Sequence, residues 1–282
     1  MTGGAPTAPT VSIIVIACDV RDEVVRCLDS VERHAGEVPT ELILVDNGSR
    51  DGTSEAVARR FPAVRIIRRE ANEGVVARNH GLRCATGAMR MFLDSDARLT
   101  PGALPELVRF VREHPGVGLV GPRLVYSDGR LQLSTRRFPP LALPLLRRPP
   151  LRLLFEDAEL VRRHLMADDP HDEPREVEYV LGACQLFTEA AQRAAGEIDE
   201  RMFFGPDDAD WCLRIRQAGF RIAYDPAATV VHDYRRSTSR RPLSTVAVRH
   251  LMAFVHFQWK WRRERRRLVE EGRRIDLRGG AL

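Results

Sequence analysis

Between residues 11 and 94, short β-branched apolar runs alternate with segments of helical spacing, and this alternation restricts the fold more than any other property of the chain. Val11–Ala17, Glu41–Val45, Val64–Ile67 and Met89–Leu93 read as buried strands. Between them, Asp22–Ala35 places Val24, Val25, Leu28 and Val31 at helical intervals, and Asp51-Gly52-Thr53 leads into a helix running through about Phe61. Asn72 can cap a third helix that reaches Cys84 and is stopped by Gly87. Such alternation implies βαβ units, hence an α/β chain with a mostly parallel sheet flanked by helices. The C-terminal ends of its strands open on one crevice.

After about residue 125 the rhythm changes. Phe138–Leu154 carries five prolines among leucines and arginines and reads as an irregular apolar segment. Asp168–Glu176 is an acidic, proline-bearing loop, Tyr179–Phe187 is strand-like, and Asp207–Ala218 has helical spacing. Arg221–Tyr224 and Thr229–Val231 read as two short strands, and from Leu243 onward one long helix is expected. The chain shows no internal repeat.

Several function classes fall away on composition. With 282 residues, 44% hydrophobic and 29% charged, the chain can bury a real core and is not globally disordered. Its five cysteines are scattered and never spaced as CxxC, which argues against a disulfide framework or a thiolate zinc site and for a reducing compartment. Met1–Thr10 has neither the basic start nor the apolar stretch of a signal peptide and is expected to be disordered. No run of about 18 apolar residues suggests a membrane span, so a cytoplasmic protein is expected. The net charge of +5 is local: Lys260–Arg278 holds nine basic and four acidic side chains, leaving the body formally neutral. No nucleic acid partner is therefore expected.

Three polar clusters follow predicted strands: Asp46-Asn47-Gly48-Ser49, Asn72-Glu73-Gly74 and Asp94-Ser95-Asp96. One such cluster is an ordinary turn or helix cap, whereas three spaced by βα units face the same crevice. In Asp94-Ser95-Asp96, two carboxylates one residue apart repel each other unless a cation or hydroxyl donors intervene. Hard oxygen ligands suit Mg²⁺ or Mn²⁺, which bridge substrate phosphates. Asp207, Asp208 and Asp210 exceed what the start of a helix needs electrostatically, and such crowding raises one carboxyl toward the range of a general base. His232 alone reads as a hydrogen-bonded or surface histidine; placed after a short strand and downstream of the acids, it becomes a candidate ligand. Gly116-Val117-Gly118-Leu119-Val120-Gly121 matches GxGxxG literally, but it follows a helix and precedes Pro122, so it reads as a helix stop leading into a strand. The chain also lacks the GxSxG elbow of a serine hydrolase.

In this order the motifs resemble those of the family 2 inverting nucleotide-sugar glycosyltransferases, which have the Rossmann-like GT-A fold. The resemblance runs from Val11 to Arg241. It rests on Val11-Ser12-Ile13-Ile14-Val15, Val45-Asp46-Asn47-Gly48-Ser49 with Asp51-Gly52-Thr53, Asn72-Glu73-Gly74 followed by Arg78-Asn79, and Leu93-Asp94-Ser95-Asp96. Gly182-Ala183, Asp207-Asp208-Ala209-Asp210-Trp211 with Leu213-Arg214, and Val230-Val231-His232 complete it. The later half looks most like bacterial rhamnosyltransferases of cell-wall and polysaccharide assembly.

The resemblance implies a nucleotide-sugar-binding half at 11–125, an acceptor-binding and catalytic half of the same domain at 126–242, and a C-terminal helix with a basic tail at 243–282. It implies a dTDP- or UDP-sugar donor held by Ala17, Asp46, Asn72, Arg78, Asp94, Ser95 and Asp96. Asp46 would contact the pyrimidine, Arg78 the base or diphosphate, and Asp94 the ribose or a metal-bound water. Asp96 and His232 would ligate Mg²⁺ or Mn²⁺, and Asp208 would be the general base. Gly182, Ala183, Asp207 and Trp211 would meet the acceptor, a glycan or a lipid-linked glycan. The chain departs from the family in carrying Asp207-Asp208 where relatives have Glu-Asp, and Ala17-Cys18-Asp19 where the first strand usually ends in Thr-Tyr-Asn. The second departure removes aromatic stacking on the base.

Leu251, Met252, Phe254, Val255, Phe257, Trp259 and Trp261, followed by arginines, suit either an interfacial membrane helix or a packing helix with a solvated basic end. The first option places the protein at the inner face of the plasma membrane, with Arg147 and Arg148 as further candidates for an acceptor diphosphate. Two other readings stand beside glycosyl transfer: a sugar-1-phosphate nucleotidyltransferase, and a non-catalytic basic peripheral membrane adaptor. The nucleotidyltransferase would want a glycine-rich loop after the first strand and a later lysine, but none of the first kind is present and the only lysine is Lys260.

Overall fold

The computed structural model describes residues 10–139, 143, 155, 158–233 and 245–262. The expected disordered N-terminus (all but Thr10), Arg147, Arg148 and the basic tail beyond Arg262 lie outside the described residues.

One long sheet organises the chain. Its strands are β1 (Val11–Ala17), β2 (Thr40–Asp46), β3 (Arg65–Arg68), β4 (Met89–Asp94), β5 (Ala97–Leu99), β6 (Val117–Val125), β11 (Cys184–Thr188) and β12 (Arg221–His232), in the order β3-β2-β1-β4-β11-β6-β12-β5. The short β7 (Leu131–Gln132) and β9 (Arg175–Glu176) pair with β6 and β12, while β8 (Thr135–Arg136) and β10 (Tyr179–Val180) form a separate pair. The three longest pairings, β6–β12, β1–β2 and β1–β4, are parallel. β11 runs antiparallel between β4 and β6, so both halves of the chain share a single sheet.

Both faces of the sheet are covered, which explains why β1 is apolar at nearly every position. Val11, Ile13, Val15 and Ala17 join the core beneath α1 (Arg21–His34), α2 (Thr53–Arg60) and α4 (Ala103–Glu113). Ile14, Ile43, Phe92 and Phe187 face the other core, with α3 (Arg78–Cys84), α6 (Glu189–Ala195), α7 (Asp207–Gln217) and α8 (Thr245–Lys260). The short α5 (Glu159–Leu165) lies near β8. Among the described residues no helix is long and apolar enough to cross a membrane.

The structure departs from the expected elements in three places. Tyr179–Phe187 is not one strand: β10 and β11 belong to different sheets, separated by Leu181-Gly182-Ala183. The two short strands expected at 221–231 are one strand, β12, irregular between Asp225 and Thr229, where Pro226 cannot donate to a ladder. The Asn72 segment opens as a 3₁₀ turn, Gly74–Ala77, before α3 begins. Asn72 Oδ1 still accepts the Gly74 N–H at 2.8 Å. Gly74 is obligatory there: its φ is +69°, and a Cβ would sit 2.0 Å from the Phe203 carbonyl oxygen.

Of the long helix expected from Leu243 onward, Thr245–Lys260 is described, as α8, and one face of it docks on the domain. Trp261 Nε1 and Lys260 Nζ reach the buried Asp210 Oδ1 at 2.8 and 2.7 Å, while Arg214 Nε donates to Asp210 Oδ2 at 2.9 Å. Lys260 also pairs with Asp199 at 2.7 Å, so the only lysine of the chain clamps α8 to α7 and to the loop before it. Removing one partner of a buried ion pair leaves the others uncompensated. Asp210→Ala is therefore expected to lower the unfolding free energy by about 3–5 kcal/mol in urea titration, whereas Arg109→Ala, at an exposed helical pair with Glu106 and Glu113, should change it little.

Candidate active site

Parallel register brings the first acids together. Ala17 pairs with Asp46 across β1 and β2, and Ile16 with Asp94 across β1 and β4, so these strands end at one level. The chain then turns through Asp94-Ser95-Asp96 into β5, which pairs antiparallel with the end of β12 and sets Ala97 opposite His232. The Asp233 N–H closes this ladder on the Asp96 carbonyl at 3.0 Å. A three-residue strand thus carries His232, distant in sequence, to the acidic turn.

His232 Nε2 lies 3.3 Å from Asp96 Oδ1 and 4.0 Å from Asp94 Oδ2. Its Nδ1 is 2.7 Å from Gln132 Oε1, an oxygen that only accepts, so Nδ1 carries the proton and Nε2 faces the carboxylates. Burial alone would lower the His232 pKa, but the facing Asp96 and Asp94 outweigh it and the value is raised. Asp94 is raised by burial, with Asp96 adding to the effect and Arg78 opposing it. Ligand atoms of Asp94, Asp96 and His232 lie within 4.8 Å of one another. Two hard carboxylates and one imidazole fit a divalent cation such as Mg²⁺ or Mn²⁺, which would relieve the repulsion between the acids. Ser95 is half-buried between them.

Arg78, expected at the base or diphosphate of the donor, lies beside this turn. Its side chain is only 5% exposed and stacks on Phe92, 4.8 Å from the ring centre. Nη2 donates to Asp94 Oδ1 at 2.6 Å and to the Gly182 carbonyl at 3.0 Å, while Nη1 lies 3.7 Å from Asp207 Oδ2. The guanidinium is thus engaged by the protein itself, tying the acidic turn to the start of α7. Gly182 makes room for it: a Cβ there would stand 3.2 Å from Arg78 Nη1 and 3.7 Å from the Asp208 Cβ.

Asp207 and Asp208 open α7. Asp207 is buried and accepts the Gly205 N–H at 2.8 Å; burial raises its pKa and Arg78 opposes the rise. Asp208 is half-exposed and receives the Ala209 N–H at 2.8 Å. Its carboxyl is pushed up to about 7, first by desolvation and then by the neighbouring Asp207, against Arg136 and Arg78. A carboxylate poised there can take a proton near neutral pH.

Other expected site residues hold the scaffold. The buried Asp46 accepts the Ser49 N–H at 2.9 Å on one oxygen and the Ser54 hydroxyl on the other. Asn72 Oδ1 also accepts from Asn47 Nδ2 at 3.1 Å, and its Nδ2 donates to Cys18 Sγ at 3.2 Å. The Ala17 carbonyl accepts the Asn47 N–H at 2.7 Å. Ala183 and Trp211, expected to meet the acceptor, both lie in the interior. Ala183 is buried, and its carbonyl accepts the Asp94 N–H at 2.9 Å. Trp211 is fully buried among Phe92 and Phe187, with ring centres 5.9 and 5.4 Å away.

Two residues escaped the sequence reading. Asn47, inside a motif that was singled out, is the knot of the first two clusters: its Oδ1 accepts the Glu73 N–H at 2.9 Å and its Nδ2 donates to the Gly74 carbonyl at 3.0 Å. Gln132 sits in a two-residue strand with no local pattern to mark it. Because Gln132 fixes the tautomer and orientation of His232, Gln132→Ala should weaken Mn²⁺ affinity by about 10- to 100-fold in direct titration; unchanged affinity would remove Gln132 from the site.

Comparison with known proteins identifies the family and the fold. The sequence profile of glycosyl transferase family 2 matches residues 12–166. The N-acetylglucosaminyl-diphospho-decaprenol L-rhamnosyltransferase of Mycobacterium tuberculosis is 28% identical over 253 residues, spanning 81% of this chain and 79% of the relative. The pre-mycofactocin glycosyltransferase of the same organism is 30% identical over 197 residues, spanning 69% of this chain and 37% of that protein. Among solved structures, the mannosyltransferase PcManGT from Pyrobaculum calidifontis, in complex with GDP-Man and Mn²⁺, superposes with a TM-score of 0.59 at 21% identity. That superposition covers 89% of this chain and 65% of the mannosyltransferase. GalNAc-T7 with UDP, GalNAc and Mn²⁺ gives 0.60 at 17% identity, covering 83% and 45%. These likenesses establish the GT-A fold, and family membership removes the nucleotidyltransferase and the non-catalytic adaptor as readings. A profile match over more than half of the chain, a shared fold and the acidic turn at the strand ends make this protein a glycosyltransferase of family 2.

Proposed function

We propose that the protein transfers a sugar, L-rhamnose from a dTDP donor in the most specific form of the reading, with inversion to a hydroxyl of a polyprenyl-diphosphate-linked saccharide at an anionic membrane surface. The sugar and acceptor classes follow the name of the rhamnosyltransferase relative, with which the match spans most of both chains. In this reading residues 11–125 hold the donor and 126–242 the acceptor. The observation that carries it is the bridge through Arg78, which fixes the Asp94–Asp96–His232 cluster relative to Asp207 and Asp208.

The chemistry divides among named atoms. Asp94, Asp96 and His232 would hold a divalent cation beside the donor diphosphate. When bound, the cation neutralises charge developing on the departing diphosphate. Asp46 and Asp94 face the base and ribose of the donor, and Asn72 shapes the floor between them. An Asp208 oxygen accepts the proton of the acceptor hydroxyl. That hydroxyl oxygen forms its bond to the anomeric carbon on the face opposite the diphosphate, whose bond to the same carbon breaks. Displacement from the opposite face inverts the configuration. Gly182 leaves space beside Asp208 for the acceptor, and Asp207 keeps Arg78 in place.

Three outcomes test this reading. In isothermal titration, Mn²⁺-dependent binding of dTDP or UDP should be lost in Asp96→Ala; retained binding would displace the cation from this turn. Asp208→Asn should lower kcat by about 10²- to 10⁴-fold while donor affinity stays the same. Because the base acts only when ionised and its carboxyl is pushed up to about 7, kcat/KM should rise with pH up to about 7 and level off above it. A flat profile between pH 5 and about 8 would exclude Asp208 as the base.

A further inference from the structure

α8 is apolar on two opposite faces. Ala253, Phe254, Phe257 and Trp261 are buried against the domain. Val248, Leu251, Met252, Val255 and Trp259 stand at helical intervals on the other side, between 42% and 66% exposed. A helix at the edge of a water-soluble domain normally turns polar residues outward, and one that is apolar all round is normally covered. Thr245–Arg262 contains no acidic residue, and the cations beside the stripe are Arg249, over the Phe203 ring at 4.4 Å, and Arg262, over the Trp259 ring at 4.7 Å.

We infer that this outer face of α8 is a docking surface for an anionic lipid bilayer. An apolar row that ends in an indole and is bordered by arginines, without carboxylates, matches an interface of acyl chains beneath negative headgroups. The nine basic and four acidic residues of Lys260–Arg278 extend the complementarity. A second copy of the chain fits less well, since pairing the stripe with itself would bring its arginines together.

The same placement sets the direction of the active site. α8 is held to α7 through Lys260, Trp261 and Asp210, so docking fixes the orientation of the helix that bears Asp208. Phe204, itself 37% exposed and 6.0 Å from the His250 ring, carries the apolar surface from α8 to the loop just before Asp207. The neighbouring Phe203 carbonyl accepts the Val75 N–H at 2.9 Å, linking that loop to the donor side. A lipid-linked acceptor would then approach the base from the bilayer. The inference deepens the acceptor reading proposed above but is tested without donor or acceptor.

The test uses the full chain with phosphatidylcholine vesicles, with and without phosphatidylglycerol. Sedimentation should show binding to the anionic vesicles, weakened by about tenfold or more in a Met252→Asp, Val255→Asp double variant whose thermal melting is unchanged. Doxyl-labelled lipid should quench tryptophan emission, and Trp259→Phe should abolish the quenching, because Trp211 and Trp261 are buried. The quenching result decides the matter should the double variant fold poorly. Equal binding by wild type and double variant, quenching that survives Trp259→Phe, or a double variant that loses self-association but keeps its vesicle binding would overturn the inference, the last in favour of a second copy. Failure to bind vesicles leaves the glycosyl-transfer reading intact, and absent donor turnover leaves the docking result intact.

Discussion

Arg78 is the constraint on which the arrangement of the site depends. A guanidinium removed from water must be surrounded by acceptors, and Asp94, the Gly182 carbonyl and Asp207 supply them from three separate segments. Phe92 provides its flat support from the sheet, and Gly182 provides room by having no side chain. The acidic turn after β4 and the start of α7 are thereby held at fixed separation. Asp94 and Asp207 share that one cation, which opposes the rise that burial causes in both, while Asp208, one residue further on, is pushed up to about 7 by desolvation and by Asp207. A group suited to bind and a group suited to take a proton thus arise from one distribution of charge.

Nearly all of the first half of the fold was legible in the sequence, because the βαβ rhythm is a local signal. Strands buried on both faces must be apolar throughout, and the polar clusters at their ends must then share an edge. What followed residue 125 was less legible for a physical reason. β11 inserts antiparallel between β4 and β6, and β5 pairs with the end of β12, so those contacts are set by distant partners and not by local periodicity. The break at Leu181-Gly182-Ala183 could not be anticipated without knowing that Arg78 needed the space.

The site shows the same split. Asp94, Asp96, His232 and Asp208 carried recognisable motifs, and the structure assembles the first three around one point. Trp211 belonged to a motif as well, and its ring, on the helix that bears Asp208, fills the core between Phe92 and Phe187. Arg78 likewise bonds to groups of the protein, Asp94 and the Gly182 carbonyl. Asn47 and Gln132 carry no chemistry of their own and orient residues that do, a role that becomes visible only when both partners of a hydrogen bond are placed. On α8, sequence left membrane and packing as alternatives, and the structure gives packing to one face while leaving the opposite face apolar and open.

The central claim is that this cleft transfers a sugar from a nucleotide diphosphate. The most direct test is a screen of nucleotide sugars with Mg²⁺ or Mn²⁺ and a polyprenyl-diphosphate-linked acceptor, read as release of the nucleoside diphosphate together with the anomeric configuration of the product by NMR. The account predicts release from one donor class, with dTDP-L-rhamnose foremost, and a product of inverted configuration. Release from none of the donors, or a product that retains the donor's configuration, would contradict it.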